Sequence, residues 1–403
     1  MLTTRQLFLQ HLALPSSYPL SIEIERAEGI YMFSPDGKKY VDLVSGVCVN
    51  NLGHHHPAIV KAVNEQVEKY MHLMVYGEMI QSPQVKLATK FAEVLPSKLN
   101  STYFVNSGSE AVDGALKLAK KFTGRTELVG FNDTYHGSTH GAFSMLGNEE
   151  MKFAYRPLLP DLRFLRFNNF DDLSQITEKS ACVLVEPIQA EAGIILPVND
   201  FLKALRERCN ETGTLLIFDE IQVGFGRTGK LFCFEHYDVV PDILCLAKAM
   251  GGGMPVGAFI ADKKIMLSFT NNPEFGHITT FGGHPVSCSA ALANLEILIS
   301  EKEIIEQVEE KGLMYEEALK SHPLVKNIRR KGLLMSIGLE TTEINLAAMK
   351  SMLENGLITD PFFFMPNAFR IAPPLIITKE EIENTIEIII MSLDSVLEIG
   401  DHF

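Results

Sequence analysis

The sequence predicts an α/β protein: a large domain on a mainly parallel sheet, followed by a smaller α+β domain. Two observations carry this. Between about residues 84 and 250, short apolar runs alternate with amphipathic helical patterns, as strands buried on both faces by helices do. After residue 285 the pattern changes to long helices, then short strands and a last helix. At 403 residues the chain is long enough for two domains. The expected division is a segment 1–50 joining the small domain, a large domain 51–285 and a small domain 286–403.

Residues 29–43 read as a β-hairpin with Asp36-Gly37 at the turn. Residues 84–95 are amphipathic, 101–106 form a short strand, and 110–122 place apolar residues at helical spacing. Strands follow at 126–131, 181–186, 214–219 and 243–247, with a helix at 200–212 between the middle two. Beyond them come helices at 286–300 and 301–321, strands at 332–339 and 369–372, and a helix from 379. Parallel sheets bind ligands beyond the carboxyl ends of their strands. Asn106, Glu186, Asp219 and Lys248 stand at such ends, so the fold gathers them on one rim.

Composition removes several function classes. Hydrophobic residues make up 46% and charged residues 21%, which fits neither a disordered chain nor a fibre. A net charge of −14 argues against sequence-independent nucleic-acid binding, which needs a basic face. No apolar stretch reaches the ~18 residues of a membrane span, and no membrane partner is expected. The first residues lack a basic stretch followed by an apolar one, so no signal peptide is expected. Six scattered cysteines without C-x-x-C read as reduced core residues, pointing to the cytoplasm.

The chemistry centres on Lys248, set between an apolar run and Gly251-Gly-Gly253. Burying an ammonium is costly unless something uses it, and a desolvated lysine is a candidate for Schiff-base chemistry. Asp219 could keep a pyridine nitrogen protonated, or could instead cap a helix or bind a metal. Asn106-Ser-Gly-Ser-Glu-Ala111 joins a strand to a helix, which suits a phosphate or a plain serine cap. Tyr135 could supply an aromatic plate for a flat cofactor or pack as a loop aromatic. Gly224-Phe-Gly-Arg-Thr-Gly229-Lys230 fits a phosphate loop, but Leu231 stands where the magnesium-binding hydroxyl belongs. His54-His-His56 lacks a carboxylate or cysteine at ligand spacing, so no metal is expected. Phe362-Phe-Phe364 reads as a buried strand or pocket wall. Arg370, in an apolar context, suits a carboxylate bidentately or a structural ion pair.

Taken in order, the motifs NSGSEA at 106, YHG at 135, EPIQAEAG at 186, FDEIQVGFGRTG at 218, LAKAMGGGMPVGA at 246, TTFGGHP at 279 and RIAPPL at 370 resemble the class III (ω-amino acid) aminotransferases. The resemblance covers nearly the whole chain and lies toward the acetylornithine, ornithine and 4-aminobutyrate branch. It implies a type I pyridoxal-phosphate transferase fold with a seven-stranded sheet, pyridoxal 5'-phosphate as cofactor, and a homodimer. It also absorbs the phosphate-loop pattern at 224 into the family's loop after the aspartate.

By position, Lys248 resembles the lysine that binds the cofactor and then shuttles the proton, and Asp219 the partner of the pyridine nitrogen. Gln222 resembles the donor to the ring's phenolic oxygen; Ser107, Gly108 and Ser109 fall in the phosphate loop, and Glu186 beside the cofactor. Tyr135 would stack on the ring, and Thr280 would reach the cofactor phosphate of the partner subunit. Arg370 resembles the arginine that reads the α-carboxylate of 2-oxoglutarate or glutamate, and Glu191 the switch glutamate that neutralises it. The implied reaction is a ping-pong transfer from an ω-amino compound (ornithine, N-acetylornithine, 4-aminobutyrate or similar) to 2-oxoglutarate.

Two positions depart from the branch. Ser138 stands where those subgroups usually carry an arginine for the donor's far carboxylate, and Arg156 is the candidate to replace it. Val47 stands where the ornithine type has an aromatic, as in the acetylornithine-like branch. Both belong to the expected substrate pocket. Glutamate-1-semialdehyde aminomutases and some racemases share the fold and the lysine, but they have no need of a Glu191–Arg370 switch.

Overall fold

The computed structural model describes residues 2–400. A seven-stranded sheet runs in the order Ser101–Val105, Gly257–Ala261, Ile243–Leu246, Leu215–Asp219, Ser180–Val185, Glu127–Phe131, Leu162–Leu165. Every pairing is parallel except those of Gly257–Ala261, which is antiparallel to both neighbours. Along the central strands alternate side chains enter two separate cores, as the two-residue repeat of a strand requires. Leu216 and Phe218 join the core that contains Phe201 and Leu295, while Leu215 and Ile217 join the one under helix Gly108–Thr123. That helix lies close on the sheet because Gly114 leaves room for Phe259; a Cβ there would come within 2.2 Å of the ring.

Two strands of this sheet escape the sequence reading. Leu162–Leu165 is an edge strand with an arginine inside it and only its last residue fully buried. Gly257–Ala261 directly follows a glycine- and proline-rich stretch that reads as loop.

The expected N-terminal hairpin is present, with Tyr31–Phe33 antiparallel to Lys39–Asp42, and Arg26–Glu28 adds a strand. Its far edge takes Leu357–Ile358 in parallel, so the N-terminal residues are hydrogen-bonded to a late part of the chain. A third sheet, all antiparallel, orders Asn327–Lys331, Leu334–Gly338 and Ala368–Ile371, and places Arg370 opposite Ser336. Its first strand is also absent from the sequence reading. The helix expected over 301–321 is two helices, Glu303–Glu306 and Val308–Leu319, separated at Gln307, whose ψ is −11°.

Arg227 explains the broken phosphate-loop pattern. Fully buried, it donates to the carbonyls of Leu333 (3.0 Å) and Pro373 (2.5 Å) and to Asn51 Oδ1 (2.6 Å). The loop after Asp219 is thereby stapled to the segment that follows Arg370. All six cysteines are buried and unpaired. His54 bonds Asp42 at 2.9 Å, and His56 with Pro57 begins helix Pro57–Lys69. Among the described residues no helix is long and apolar enough to cross a membrane.

Candidate active site

Above the carboxyl ends of the parallel strands lies a cavity of about 670 Å³. The rim residues expected from the sequence, Asn106, Glu186, Asp219 and Lys248, all line it. So do Ser107, Gly108, Ser109 and Gln222 on one side, and Tyr135 with Ser138 on another.

Asp219 ends its strand with both carboxylate oxygens engaged. Oδ1 accepts from the amide of Ile221 at 3.0 Å, and Oδ2 meets His136 Nδ1 at 2.7 Å. His136 is fully buried, and its other ring nitrogen has no partner. The sequence reading took Tyr135 from this motif and missed the histidine. Its partner lies 83 residues away, so only the fold could pair them.

Glu186 is the second carboxyl of the cavity. Burial pushes it well above the usual carboxylate range, and the neighbouring Asp219 charge adds to the effect. The two carboxyls are therefore unlike: Glu186 is driven toward its neutral form, while Asp219 is tied to a histidine. Glu220, next in sequence, points elsewhere and accepts from the amides of Cys233 and Phe234, each at 2.6 Å. Burial raises it to about 8, against the pull of those two amides. It braces the loop beyond the site.

Lys248 follows strand Ile243–Leu246 in a left-handed conformation (φ +46°), and its Nζ donates to Gln222 Oε1 at 2.9 Å. Gln222 Nε2 is buried without a partner. Opposite, Ser107 caps helix Gly108–Thr123 by accepting from the Glu110 amide at 3.2 Å. Ala111 N bonds the Ser107 carbonyl, which leaves the amides of Gly108 and Ser109 open at the positive end of the helix. Ser109 Oγ is fixed by Thr139, 2.6 Å away. At Gly108 a Cβ would strike Ile221 at 2.9 Å, and at Gly137 (φ +124°) it would lie 2.4 Å from Ser109 Oγ. Open amides, the orphaned Gln222 amide, an acid and an amine across the cavity fit pyridoxal 5'-phosphate.

Arg370 and Glu191, expected from the sequence to read and neutralise a substrate carboxylate, pair with each other but do not line this cavity. Arg370 is 1% exposed, and its Nη2 donates to both oxygens of Glu191, at 2.9 and 3.0 Å. Nε forms an ion pair with Asp360 Oδ1 at 3.2 Å that is not aligned as a hydrogen bond, and Nη1 has no partner. Burial pushes Asp360 up to about 6, with Arg370 and Lys248 opposing and Glu191 adding. Asp360 thus stands within electrostatic reach of both the arginine and the lysine.

Three further expected residues also lie outside the cavity lining. Val47 does not line the cavity. It sits in a turn in which Ser45, Gly46, Val47 and Cys48 are all left-handed (φ between +54° and +62°). Such a conformation costs roughly 1–2 kcal/mol per L-residue. Asp42 Oδ1, accepting from Val44 and Ser45, and Ser45 Oγ, donating to Ala372 O, hold it in place. The turn presents Val49 to the cavity instead. Thr280 is exposed and does not line the cavity of its own chain, although its neighbour Thr279 accepts from Asn106 at 2.9 Å. Arg156 forks onto Glu149 and does not line the cavity. Ser138 Oγ lies 3.1 Å from the Tyr135 hydroxyl.

The family model described as Aminotransferase class-III matches residues 13–393. The chain is similar to the acetylornithine aminotransferase of Methanopyrus kandleri, 39% identical over 93% of this chain and 95% of that protein. It is also similar to the acetylornithine aminotransferase of Methanocaldococcus jannaschii, 37% identical over 90% and 91% of the two chains. Among solved structures, the ornithine aminotransferase of Toxoplasma gondii superposes with a TM-score of 0.91 at 28% identity, covering 98% of this chain and 96% of that one. A second structure of that enzyme, with a TM-score of 0.90 at 27% identity and coverage of 98% and 95%, has PLP at partial occupancy in its active site.

Proposed function

This chain belongs to the class-III aminotransferase family, and on that premise we propose that it moves an amino group from an ω-amino compound to 2-oxoglutarate in two half-reactions sharing one cavity. It is a transaminase: pyridoxal 5'-phosphate is its cofactor, and its substrates are an amino donor and a 2-oxo acid. When bound, the cofactor supplies an aldehyde that accepts an amine and a protonated ring that draws electrons from the substrate carbon.

In this reading Lys248 Nζ would hold the cofactor and, when free, would carry the proton at the substrate carbon that bears nitrogen. Asp219, held by His136 and the Ile221 amide, would keep the ring nitrogen protonated. Gln222 Nε2, buried without a partner, would donate to the ring oxygen, and the Gly108 and Ser109 amides with the Ser107 cap would take the phosphate. Tyr135 would cover the ring, and Glu186, which burial drives toward its neutral form, would lie beside it. Residues 51–285 hold the cofactor, and 286–403 with 1–50 carry Arg370. The protein works in the cytoplasm as a homodimer in which Thr280 reaches the partner's cofactor phosphate; the exposure of Thr280 on its own chain is consistent with that role.

The observation that carries the two-substrate reading is the Glu191–Arg370 pair. A buried guanidinium bonded through one nitrogen keeps a free donor, Nη1, for a substrate carboxylate. Glu191 satisfies Arg370 while an ω-amino donor reacts and yields it to the α-carboxylate of the 2-oxo acid. An aminomutase or racemase has no second substrate to require this. The donor remains one of ornithine, N-acetylornithine, 4-aminobutyrate or a similar compound, with Ser138 and the Val47 turn shaping its end of the site.

Arg370→Lys tests the reading. The lysine keeps the charge opposite Glu191 but loses the planar fork, so the KM for 2-oxoglutarate is expected to rise about ten- to a hundred-fold. The amine donor's KM is expected to stay nearly unchanged. Equal effects on both substrates, measured in steady state, would remove Arg370 from this role.

A further inference from the structure

Glu191 holds more than the arginine. Its Oε2 also accepts from the Phe363 amide, at 3.4 Å, and its backbone carbonyl accepts from the Phe364 amide at 3.1 Å. The rest of this strap is anchored without the Glu191 side chain. The Asp360 carbonyl accepts from the Arg370 amide at 2.9 Å, Pro361 bridges to Phe369, and the buried Phe362 ring lies 4.6 Å from the Arg370 guanidinium. Within residues 360–364, only Phe363 draws its backbone contact from the carboxylate that must move. Its ring is 57% exposed and packs on Tyr135, with centroids 5.2 Å apart and planes at 47°.

We infer that Phe363 is a positioning residue for substrate choice, docked on Tyr135 while Glu191 pairs with Arg370 and released when a substrate carboxylate displaces Glu191. The inference rests on Arg370 acting as the carboxylate reader. Swinging the Glu191 side chain away strips the Phe363 amide of its acceptor but leaves Phe364 bonded to the Glu191 carbonyl. Phe364 then serves as a fixed hinge and Phe363 as the free end. Tyr135 lines the cavity and Phe363 does not, so the ring acts on the site through Tyr135, holding it in place for the amine donor and freeing it for the 2-oxo acid.

The chain contains no tryptophan, so Phe363→Trp places a single indole at this point. The probe is glutarate, a dicarboxylate with neither amino nor oxo group, titrated into the holoenzyme. Emission is expected to shift over the same concentration range in which glutarate inhibits competitively against the 2-oxo acid. Adding Glu191→Ala should abolish the shift, because the indole is then already free. In Phe363→Ala the donor's KM should rise about two- to ten-fold, the worth of one aromatic contact, with the 2-oxo acid's KM unmoved. A residue with a merely structural role would move both. Competitive inhibition by glutarate with constant emission overturns the inference and leaves the arginine's role standing. If glutarate does not inhibit and Arg370→Lys spares the KM for 2-oxoglutarate, the arginine's role fails and the inference fails with it.

Discussion

Lys248→Ala is expected to lower kcat with every donor and acceptor by about four orders of magnitude or more. One amine does two jobs here, covalent attachment and proton transfer. Positioned acid–base catalysis alone contributes about 10²–10⁴-fold, and holding a nucleophile in place adds further effective concentration. No other lysine or arginine lines the cavity among the described residues to take over either job. The fold should tolerate the change. Among the described residues Lys248 Nζ makes one hydrogen bond, to Gln222, so the loss to stability is on the order of one hydrogen bond, about 1 kcal/mol. Thermal unfolding measured beside kcat separates the two effects. Residual activity above about one part in a hundred would place the essential amine elsewhere, since loss of a positioned acid–base group should cost at least that much.

Asp219→Asn is expected to cost about a hundred- to a thousand-fold in kcat with little change in fold. Asparagine keeps the shape, can accept from the Ile221 amide, and still faces His136 across 2.7 Å. The charge is what disappears. A carboxylate within hydrogen-bond reach of a buried pyridinium raises its proton affinity by about two pKa units, close to 3 kcal/mol. A ring that loses its proton no longer draws electrons from the substrate carbon. The same variant should bind the cofactor more weakly, read as a higher pyridoxal phosphate concentration for half-saturation. Wild-type kcat in Asp219→Asn would mean that the ring nitrogen is protonated without this residue.

The features legible in the sequence were those written in local pattern. Strands buried on both faces give continuous apolar runs, and a parallel sheet puts their ends on one rim. Asn106, Glu186, Asp219 and Lys248 therefore come together as expected. Features that depend on distant contacts were not legible. His136 acquires its meaning from Asp219, and Arg227 from three acceptors at Asn51, Leu333 and Pro373. Strand Gly257–Ala261 hides behind a glycine-rich loop because its pairing is decided by the register Gly257 to Val105. Val47 and Val49 exchange places because four left-handed residues in succession turn the chain, and residue types alone do not announce that geometry.

The Glu191–Arg370 pair joins the local and the distant. Each residue sits in a recognisable motif, yet their contact spans 179 positions and is made by the third sheet meeting the loop after strand Ser180–Val185. The same loop contact gives Phe363 its link to substrate choice.

Single-turnover transfer in two separated steps is the most direct test of one cavity serving two substrates. Holoenzyme is treated with ornithine, N-acetylornithine or 4-aminobutyrate, freed of donor by gel filtration, and then given 2-oxoglutarate alone. The expected result is about one glutamate per active site from at least one of the three donors, because a ping-pong enzyme stores the amino group between half-reactions. Glutamate that forms only when both substrates are present together, or none from any donor while the cofactor is bound, would contradict it.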